Sequence, residues 1–176
     1  RMEREELCRQ ENEVLREQAM QDSFTKLLNR GALEKHVCEA LQERGGDEED
    51  VFILLDVDNF KQINDSYGHV AGDAALCTIV RTIFEHVRAD DVVLRYGGDE
   101  FLLMFEEIPE KVFQQKLEDI REEIAMADVP EYKEIRLSMS VGGVYGSCKV
   151  RDGVMEADRL LYQAKRQKNC VAYKRI

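Results

Sequence analysis

Two apolar runs, Val92-Val93-Leu94 and Phe101-Leu102-Leu103-Met104-Phe105, stand either side of Arg95-Tyr96-Gly97-Gly98-Asp99-Glu100. Two β-prone runs joined by a short glycine-bearing segment predict a β-hairpin. That hairpin lies in the middle of a chain whose other segments read alternately as helix and strand. The pattern argues against a doubly wound parallel sheet and for an α/β sandwich of the α+β kind, with helices flanking a mixed, largely antiparallel central sheet. A hairpin tip is ordinarily polar because it faces water. This tip carries adjacent carboxylates, Asp99 and Glu100, behind two glycines. Gly97 and Gly98 lack the Cβ atoms that would hold a bulky ligand away from the backbone.

A third apolar run, Val51-Phe52-Ile53-Leu54-Leu55, is continuous, as in a strand covered on both faces. It ends in Asp56-Val57-Asp58. Asp58 is placed to cap the helix that follows. Asp56 has no such role, and a carboxylate at the end of a buried strand costs roughly several kcal/mol without a partner. Short connections favour this strand beside the hairpin, which brings Asp56 to Asp99 and Glu100. Three carboxylates within about 4 to 6 Å repel by roughly 4 kcal/mol per close pair at an effective dielectric of about 20. Either they stay apart or a cation lies between them. Oxygen ligands without Cys or His suit Mg2+ or Mn2+, and Mg2+ held by few carboxylates also takes substrate phosphates, as in phosphoryl or nucleotidyl transfer. Lys61 and the basic stretch Lys165-Arg166, Lys168 and Lys174-Arg175 could supply cations for a triphosphate. The basic stretch equally reads as a solvated helix end.

The rest of the chain frames this site. Residues 1–20 contain no Gly or Pro, and Leu7, Val14, Leu15 and Ala19 form a thin apolar stripe. They read as an exposed connector helix from an upstream part, either half of a two-stranded coiled coil or simply solvated. Residues 21–176 read as one globular domain, for which 44% hydrophobic content supplies a core. Within it, Asp22-Ser23-Phe24-Thr25 breaks the first helix and residues 27–31 connect. Helices are expected at 32–44, closed by Gly45-Gly46, and at 59–65, 70–87, 110–126 and 153–167. Strands are expected at 135–145, alternating inward and outward around Gly142-Gly143, and at 170–173.

A formal net charge of −11 disfavours general nucleic-acid binding and anionic membrane surfaces. No stretch approaches about 18 apolar residues, so no membrane span is expected, and no signal peptide is visible. Cys8, Cys38, Cys77, Cys148 and Cys170 are widely spaced with no Cys-x-x-Cys pair, which fits reduced thiols in a cytoplasmic compartment. His36, His69 and His86 show no metal-ligand spacing.

At this point the chain resembles the GGDEF domains, the diguanylate cyclases, over about residues 20–176. The matching segments are residues 22–30, Asp56-Val57-Asp58-Asn59-Phe60-Lys61, Asn64-Asp65-Ser66-Tyr67-Gly68-His69, Gly72-Asp73, residues 95–101, Ser140-Val141-Gly142-Gly143 and residues 157–165. The resemblance implies a core like that of nucleotidyl cyclases and polymerase palms, and the joining of two GTP molecules into cyclic di-GMP with release of two pyrophosphates. It implies that Asp56, the Val57 carbonyl and Asp99 ligate Mg2+ or Mn2+, with Glu100 binding metal or activating the 3′-hydroxyl. Asn64 and Asp73 look like guanine readers; a carboxylate can accept from both N1–H and the exocyclic amine of guanine, a donor edge that adenine lacks. His69 matches a substrate contact. Lys61, Lys165 and Lys168 look like phosphate ligands, with Lys61 the candidate for stabilising charge in the transition state. Gly97 and Gly98 would let the triphosphate lie against the hairpin.

One departure concerns Lys168. The family commonly has Gly-Arg-Asn or Gly-Lys-Asn after the last helix, whereas here Gln167 runs straight into Lys168-Asn169. Arg88-Ala89-Asp90-Asp91 matches the family's Arg-x-x-Asp product-inhibition motif, and an arginine there suits bidentate contact with a guanine edge or a phosphate; alone it also reads as a capped turn. The product's symmetry implies two chains meeting face to face, since each chain has one hairpin and no repeat. A homodimer aided by residues 1–20 is the expected partner arrangement. Two alternatives stay open at this stage: a non-catalytic module that senses cyclic di-GMP or GTP, and a plain interaction domain with an acidic pocket.

Overall fold

The structure, a computed structural model, describes residues 2–20, 28–29, 50–89, 91–146 and 148–176. Five helices are described: α1 (Met2–Met20), α2 (Phe60–Tyr67), α3 (His69–Phe84), α4 (Glu110–Met126) and α5 (Val150–Gln167). The strands are β1 (Leu28–Asn29), β2 (Asp50–Val57), β3 (Val92–Arg95), β4 (Glu100–Glu106), β5 (Met139–Gly146) and β6 (Val171–Arg175). They form one six-stranded sheet in the order β1-β3-β4-β2-β5-β6. The three pairings at its centre, β3–β4, β4–β2 and β2–β5, are antiparallel; the two at its edges, β1–β3 and β5–β6, are parallel. The expected mixed, largely antiparallel sheet is what forms.

Side-chain alternation divides the core into two layers. Leu55, Val57, Phe101, Leu103 and Phe105 pack with α3 and α4, against Ile79, Ile83, Phe113, Leu117 and Ile120. Leu94, Leu102, Met104 and Val144 face the other way, against Val154, Ala157, Leu160 and Leu161 of α5. Because Leu55 and Val57 point toward α3 and α4, Asp56 between them must point toward α5. The hairpin and the chemistry it carries are thus held between two packed layers.

Several boundaries differ from expectation for physical reasons. Residues 27–31, read as a connector, contain β1, a two-residue parallel edge strand on β3. Ile135 and Leu137 are buried between exposed or half-exposed neighbours, as alternation requires, but the ladder begins only at Met139, which pairs with Val57. Beyond Val57 one more backbone bond, from the Asp58 amide to the Ser138 carbonyl at 2.8 Å, closes the pairing, and residues 135–137 have no strand to pair with. From Met139 to Gly146 every residue is buried, because helices cover both faces. The helix expected at 70–87 spans His69–Phe84 and the one at 153–167 starts at Val150. The expected helix at 32–44, the breaker at 22–25 and Gly45-Gly46 lie outside the described residues, as does Cys38. The other four cysteines are free thiols. In α1, residues 4–12 and Val14 are exposed. Among the described residues, no helix is long and apolar enough to cross a membrane.

The glycine pair in β5 sets how closely the helices approach. A Cβ on Gly142 would lie 2.3 Å from the Ala157 carbonyl oxygen and 2.6 Å from the Leu161 amide nitrogen, both backbone atoms of α5. A Cβ on Gly143 would meet a terminal methyl of Leu117 at 2.6 Å, on the α4 side. Backbone cannot yield as a leucine side chain can. Gly142→Ala is therefore expected to cost roughly 1–3 kcal/mol in a urea melt, and Gly143→Ala clearly less; equal losses would contradict the close contact with α5.

Candidate functional site

The site is built at one end of the sheet, where β2 stops and the β3–β4 hairpin turns. Asp56 stands opposite Glu100 across the β2–β4 ladder and opposite Ser140 across the β2–β5 ladder. The hairpin tip is tied to β2 by the Val57 amide, which donates to the Asp99 carbonyl at 3.0 Å. The tip is closed internally by the Tyr96 and Gly97 amides, which donate to the Glu100 carbonyl at 2.9 and 3.2 Å. Arg95 braces it from the side, with its Nη2 2.6 Å from the Gly98 carbonyl oxygen. Gly68 and Gly146 take left-handed φ values; Gly97 and Gly98 do not. A Cβ on Gly98 would meet nothing within 4 Å. The turn itself therefore does not demand glycine at 98, and the backbone there lies open to whatever approaches from outside.

Asp56 is 2% exposed. Its Oδ2 accepts a hydrogen bond from the Lys165 ammonium in the last turn of α5, while its Oδ1 is buried with no partner. Burial pushes the Asp56 carboxyl up to about 7; the bond from Lys165 opposes that shift, and the nearby charges of Asp99 and Glu100 add to it. The Lys165 ammonium is itself held above its ordinary value: burial pulls it down, and the bond to Asp56 with the fields of Asp56, Asp99 and Glu100 outweighs that pull. The three carboxylates proposed from sequence are thus within electrostatic reach of one another, and the cation bound to Asp56 here is a lysine.

Asp58 does not cap the next helix. The N-cap of α2 is Asn59, in a left-handed conformation with no side-chain cap bond. Asp58, two residues beyond Asp56 and on the same side, is a buried acceptor. Its Oδ1 receives the Ser140 hydroxyl at 2.6 Å, and its Oδ2 receives the Ser138 hydroxyl at 2.6 Å and the Asn169 amide at 2.9 Å. It fastens the turn after α5 to the end of β2. Sequence reading missed this clamp, although the Ser138-x-Ser140 spacing, which puts both hydroxyls on one side of an extended chain, was a usable signal.

Lys168 takes φ 61° and ψ 157°, a backbone conformation that favours glycine, at the position where the family's usual glycine is missing. Its ammonium donates to the Asn59 side-chain oxygen at 2.7 Å, which brings it to the start of α2. The α2–α3 corner gathers the other candidates. Asn64 is half-buried with its Oδ1 against Gly72, where a Cβ would come within 1.8 Å of it. Asp73, the neighbour of Gly72, is exposed, as are His69 at the start of α3 and Lys61 in the first turn of α2.

Arg88 and Asp91 lie at the opposite end of β4. The Arg88 amide donates to Asp91 Oδ2 at 2.6 Å, and the Asp91 amide returns a bond to the Arg88 carbonyl at 3.0 Å. The Arg88 guanidinium donates to the Glu106 carbonyl at 2.7 Å. Lys116, which burial holds below its ordinary pKa and which feels the charges of Asp91 and Arg88, lines a surface cavity of about 300 Å³ with His86, Lys111, Val112, Gln115 and Asp119. Nothing in the local sequence around Lys116 pointed to that neighbourhood.

The donor set at Asp56 is all oxygen, and its buried, unpartnered Oδ1 is what a hard divalent cation would satisfy. Among the described residues, no three His, Cys, Asp or Glu side chains form a ready-made metal cage.

The raised Asp56 pKa has a consequence for stability. The folded chain holds this proton more tightly than the unfolded chain, whose value is the ordinary 3.8, so stability is lost as pH rises from about 4 through about 7. In metal-free protein Asp56→Asn removes the buried charge. Its melting temperature should exceed that of the parent by roughly 5 °C or more at pH 8, with the two converging near pH 4. A gap independent of pH would contradict the assignment.

Comparison with known proteins places this arrangement among relatives. The family model described as diguanylate cyclase, GGDEF domain, matches residues 19–170. Diguanylate cyclase DosC of Escherichia coli (strain K12) is 36% identical over 163 residues, covering 88% of this chain and 35% of DosC. The chain thus spans about a third of that relative's length. Among solved structures, the coiled coil and GGDEF domain of DgcB from Caulobacter crescentus in complex with c-di-GMP is similar at a TM-score of 0.87 and 26% identity, covering 98% of this chain and 95% of that one. Diguanylate cyclase SiaD in complex with its activator SiaC, from Pseudomonas aeruginosa, is similar at a TM-score of 0.77 and 30% identity, covering 98% of this chain and 68% of SiaD.

Proposed function

The chain belongs to the GGDEF family of diguanylate cyclase domains, and from that premise we propose that it is an active cyclase, condensing two GTP into cyclic di-GMP and two pyrophosphates. The observation that carries this reading is the buried Asp56, with a free Oδ1, set opposite Glu100 beside a hairpin tip open at Gly98. A domain that merely bound a partner would have no reason to keep an unpaired carboxylate oxygen in its core.

In this reading Asp56, the Val57 carbonyl, Asp99 and Glu100 hold Mg2+ or Mn2+. When bound, the ion neutralises triphosphate charge and stabilises the charge that builds up as pyrophosphate departs. The remaining work falls to the chain. Gly97 and Gly98 let the triphosphate lie on the hairpin backbone. Lys61, Lys165 and Lys168 supply positive charge to the phosphate oxygens, Lys61 from an exposed position that costs nothing to vacate. Asn64 and Asp73 at the α2–α3 corner read the guanine edge, with His69 beside them. Glu100 orients or deprotonates the 3′-hydroxyl. Each 3′-oxygen attacks the α-phosphorus of the other GTP and a pyrophosphate leaves, twice. One chain offers one such site, so two chains meet about a two-fold axis. The division of labour is residues 1–20 as signalling connector and 21–176 as catalytic domain, acting in the cytoplasm under an upstream sensor.

Asp99→Ala keeps the backbone carbonyl that receives the Val57 amide. It should fold normally and lose cyclic di-GMP synthesis from GTP and Mg2+ by at least about a hundred-fold. Specific activity of the parent should fall on dilution as dimers separate. Full activity in Asp99→Ala would refute the site. A parent chain that binds cyclic di-GMP but makes none would establish the sensor reading instead.

Product inhibition is part of the same proposal, at the Arg88–Asp91 turn, with Asp91 shaping the turn and Arg88 the group a ligand meets. The Arg88 side chain is 55% exposed although its amide and Glu106 bonds fix the turn. Arg88→Ala should leave turnover intact and raise the inhibition constant for cyclic di-GMP about ten-fold or more, which corresponds to loss of a charge-assisted contact. Unchanged inhibition would return the motif to a structural turn.

A further inference from the structure

We propose that Lys165 is an internal stand-in for the metal: in the nucleotide-free chain its ammonium occupies Asp56 and keeps divalent cations out, until the phosphates of an arriving nucleotide draw it away. The inference rests on the cyclase reading for the identity of the nucleotide, but not for the lysine's contact, which is a property of the free chain.

Three observations carry it. First, the Lys165 ammonium sits on Asp56 Oδ2, within the fields of Asp99 and Glu100, so it occupies an oxygen that a bound cation would take. Second, it does the task incompletely. One oxygen of a 2% exposed carboxylate is left without any partner. A divalent cation in the ammonium's place would bring two positive charges to the carboxylates where Lys165 brings one. Third, the contact is built to be exchanged. The Lys165 side chain is 44% exposed and can swing outward, while the helix end that carries it is fixed independently. Asp58 binds the Asn169 amide four residues on, and Lys168 binds Asn59. Releasing Asp56 therefore requires moving one flexible side chain and no backbone.

The physical consequence is coupled loading. Metal alone must displace the ammonium and leave it beside a cation, which is unfavourable. Metal arriving with a polyphosphate supplies the displaced ammonium with new oxygens. A site in a chain with a net charge of −11 would otherwise gather free divalent cations unproductively.

The test is Mn2+ binding followed by the loss of the free-ion EPR signal, at constant pH and without nucleotide. Lys165→Met should bind Mn2+ about ten-fold more tightly than the parent; the gain stays well below the bare Coulomb figure because Lys165 is half exposed. Lys168→Met removes the same charge from the same helix end but not from Asp56, and should leave Mn2+ affinity unchanged. Adding Asp56→Asn to Lys165→Met should abolish the gain. Equal or weaker binding in Lys165→Met overturns the proposal, and so does an equal gain in Lys168→Met, which would reduce the effect to general charge. No GTP is present and no turnover is read, so the role of the lysine is decided even in a chain that makes no cyclic dinucleotide.

Discussion

A carboxylate at the end of the central strand is the constraint on which the rest of this structure depends. β2 lies between β4 and β5, and the residues flanking Asp56 are nearly inaccessible, Leu55 at 0% and Val57 at 3%. Burying Asp56 there disfavours its charged form. The fold answers with three arrangements. Strand alternation turns Asp56 away from the α3 and α4 layer and toward α5. The absent side chain at Gly142 lets α5 approach until its backbone lies within reach of a Cβ. The last turn of α5 then delivers Lys165, at a helix end where a cation is favoured by the dipole. Changing any of the three leaves the carboxylate without its cation.

Much of this was legible in the sequence because it follows from short periods. The hairpin, the order of helices and strands and the place of Asp56 beside Asp99 and Glu100 come from runs of a few residues and from short connections. What was not legible depends on residues far apart along the chain. Lys165 read only as one of several cations for a phosphate, since its contact with Asp56 joins the last helix to the second strand and depends on how closely α5 packs on β5. Asp58 read as a helix cap because local rules favour that use of an aspartate. It instead found two hydroxyls, from β5 and the residues just before it, and an amide from beyond α5, a set of partners that no single local bond at the helix start could match. The start of β5 failed for a related reason: alternation was present from Ile135 onward, but a ladder extends only as far as its partner strand.

Lys168 shows where family pattern and physics meet. Without the glycine, a lysine takes the φ of 61° that ends α5, a conformation that stores strain of roughly 1–3 kcal/mol. Three bonds hold the turn in place: the Lys168 amide to the Ala164 carbonyl, the Lys168 ammonium to Asn59, and the Asn169 amide to Asp58. The Asp58 clamp matters more here than in a chain with glycine at the turn, because it opposes the tendency of the strained residue to relax and carry the α5 terminus with it.

The two ends of β4 carry different charged groups. Glu100 opens the strand within an acidic cluster. Glu106 closes it, and its carbonyl is taken by the Arg88 guanidinium, with Lys116 close by. Seven residues of strand separate these ends by about 20 Å, beyond a Debye length of about 8 Å at physiological salt, so direct charge–charge influence across the surface is weak. Any effect of a ligand at Arg88 on the carboxylates must therefore pass through β4 and its neighbours, or through the way two chains are held. The structure of the turn narrows this further. Asp91 is 1% exposed and already committed to the Arg88 amide, so a ligand that demanded its carboxylate would have to dismantle the turn. The exposed guanidinium can be engaged with the turn intact. A rigid turn with one outward-facing cation is suited to bridging between surfaces, and poorly suited to pulling on the strand behind it. Under the proposed function, the geometry favours engagement of the Arg88 side chain from outside over distortion of the β4 hairpin.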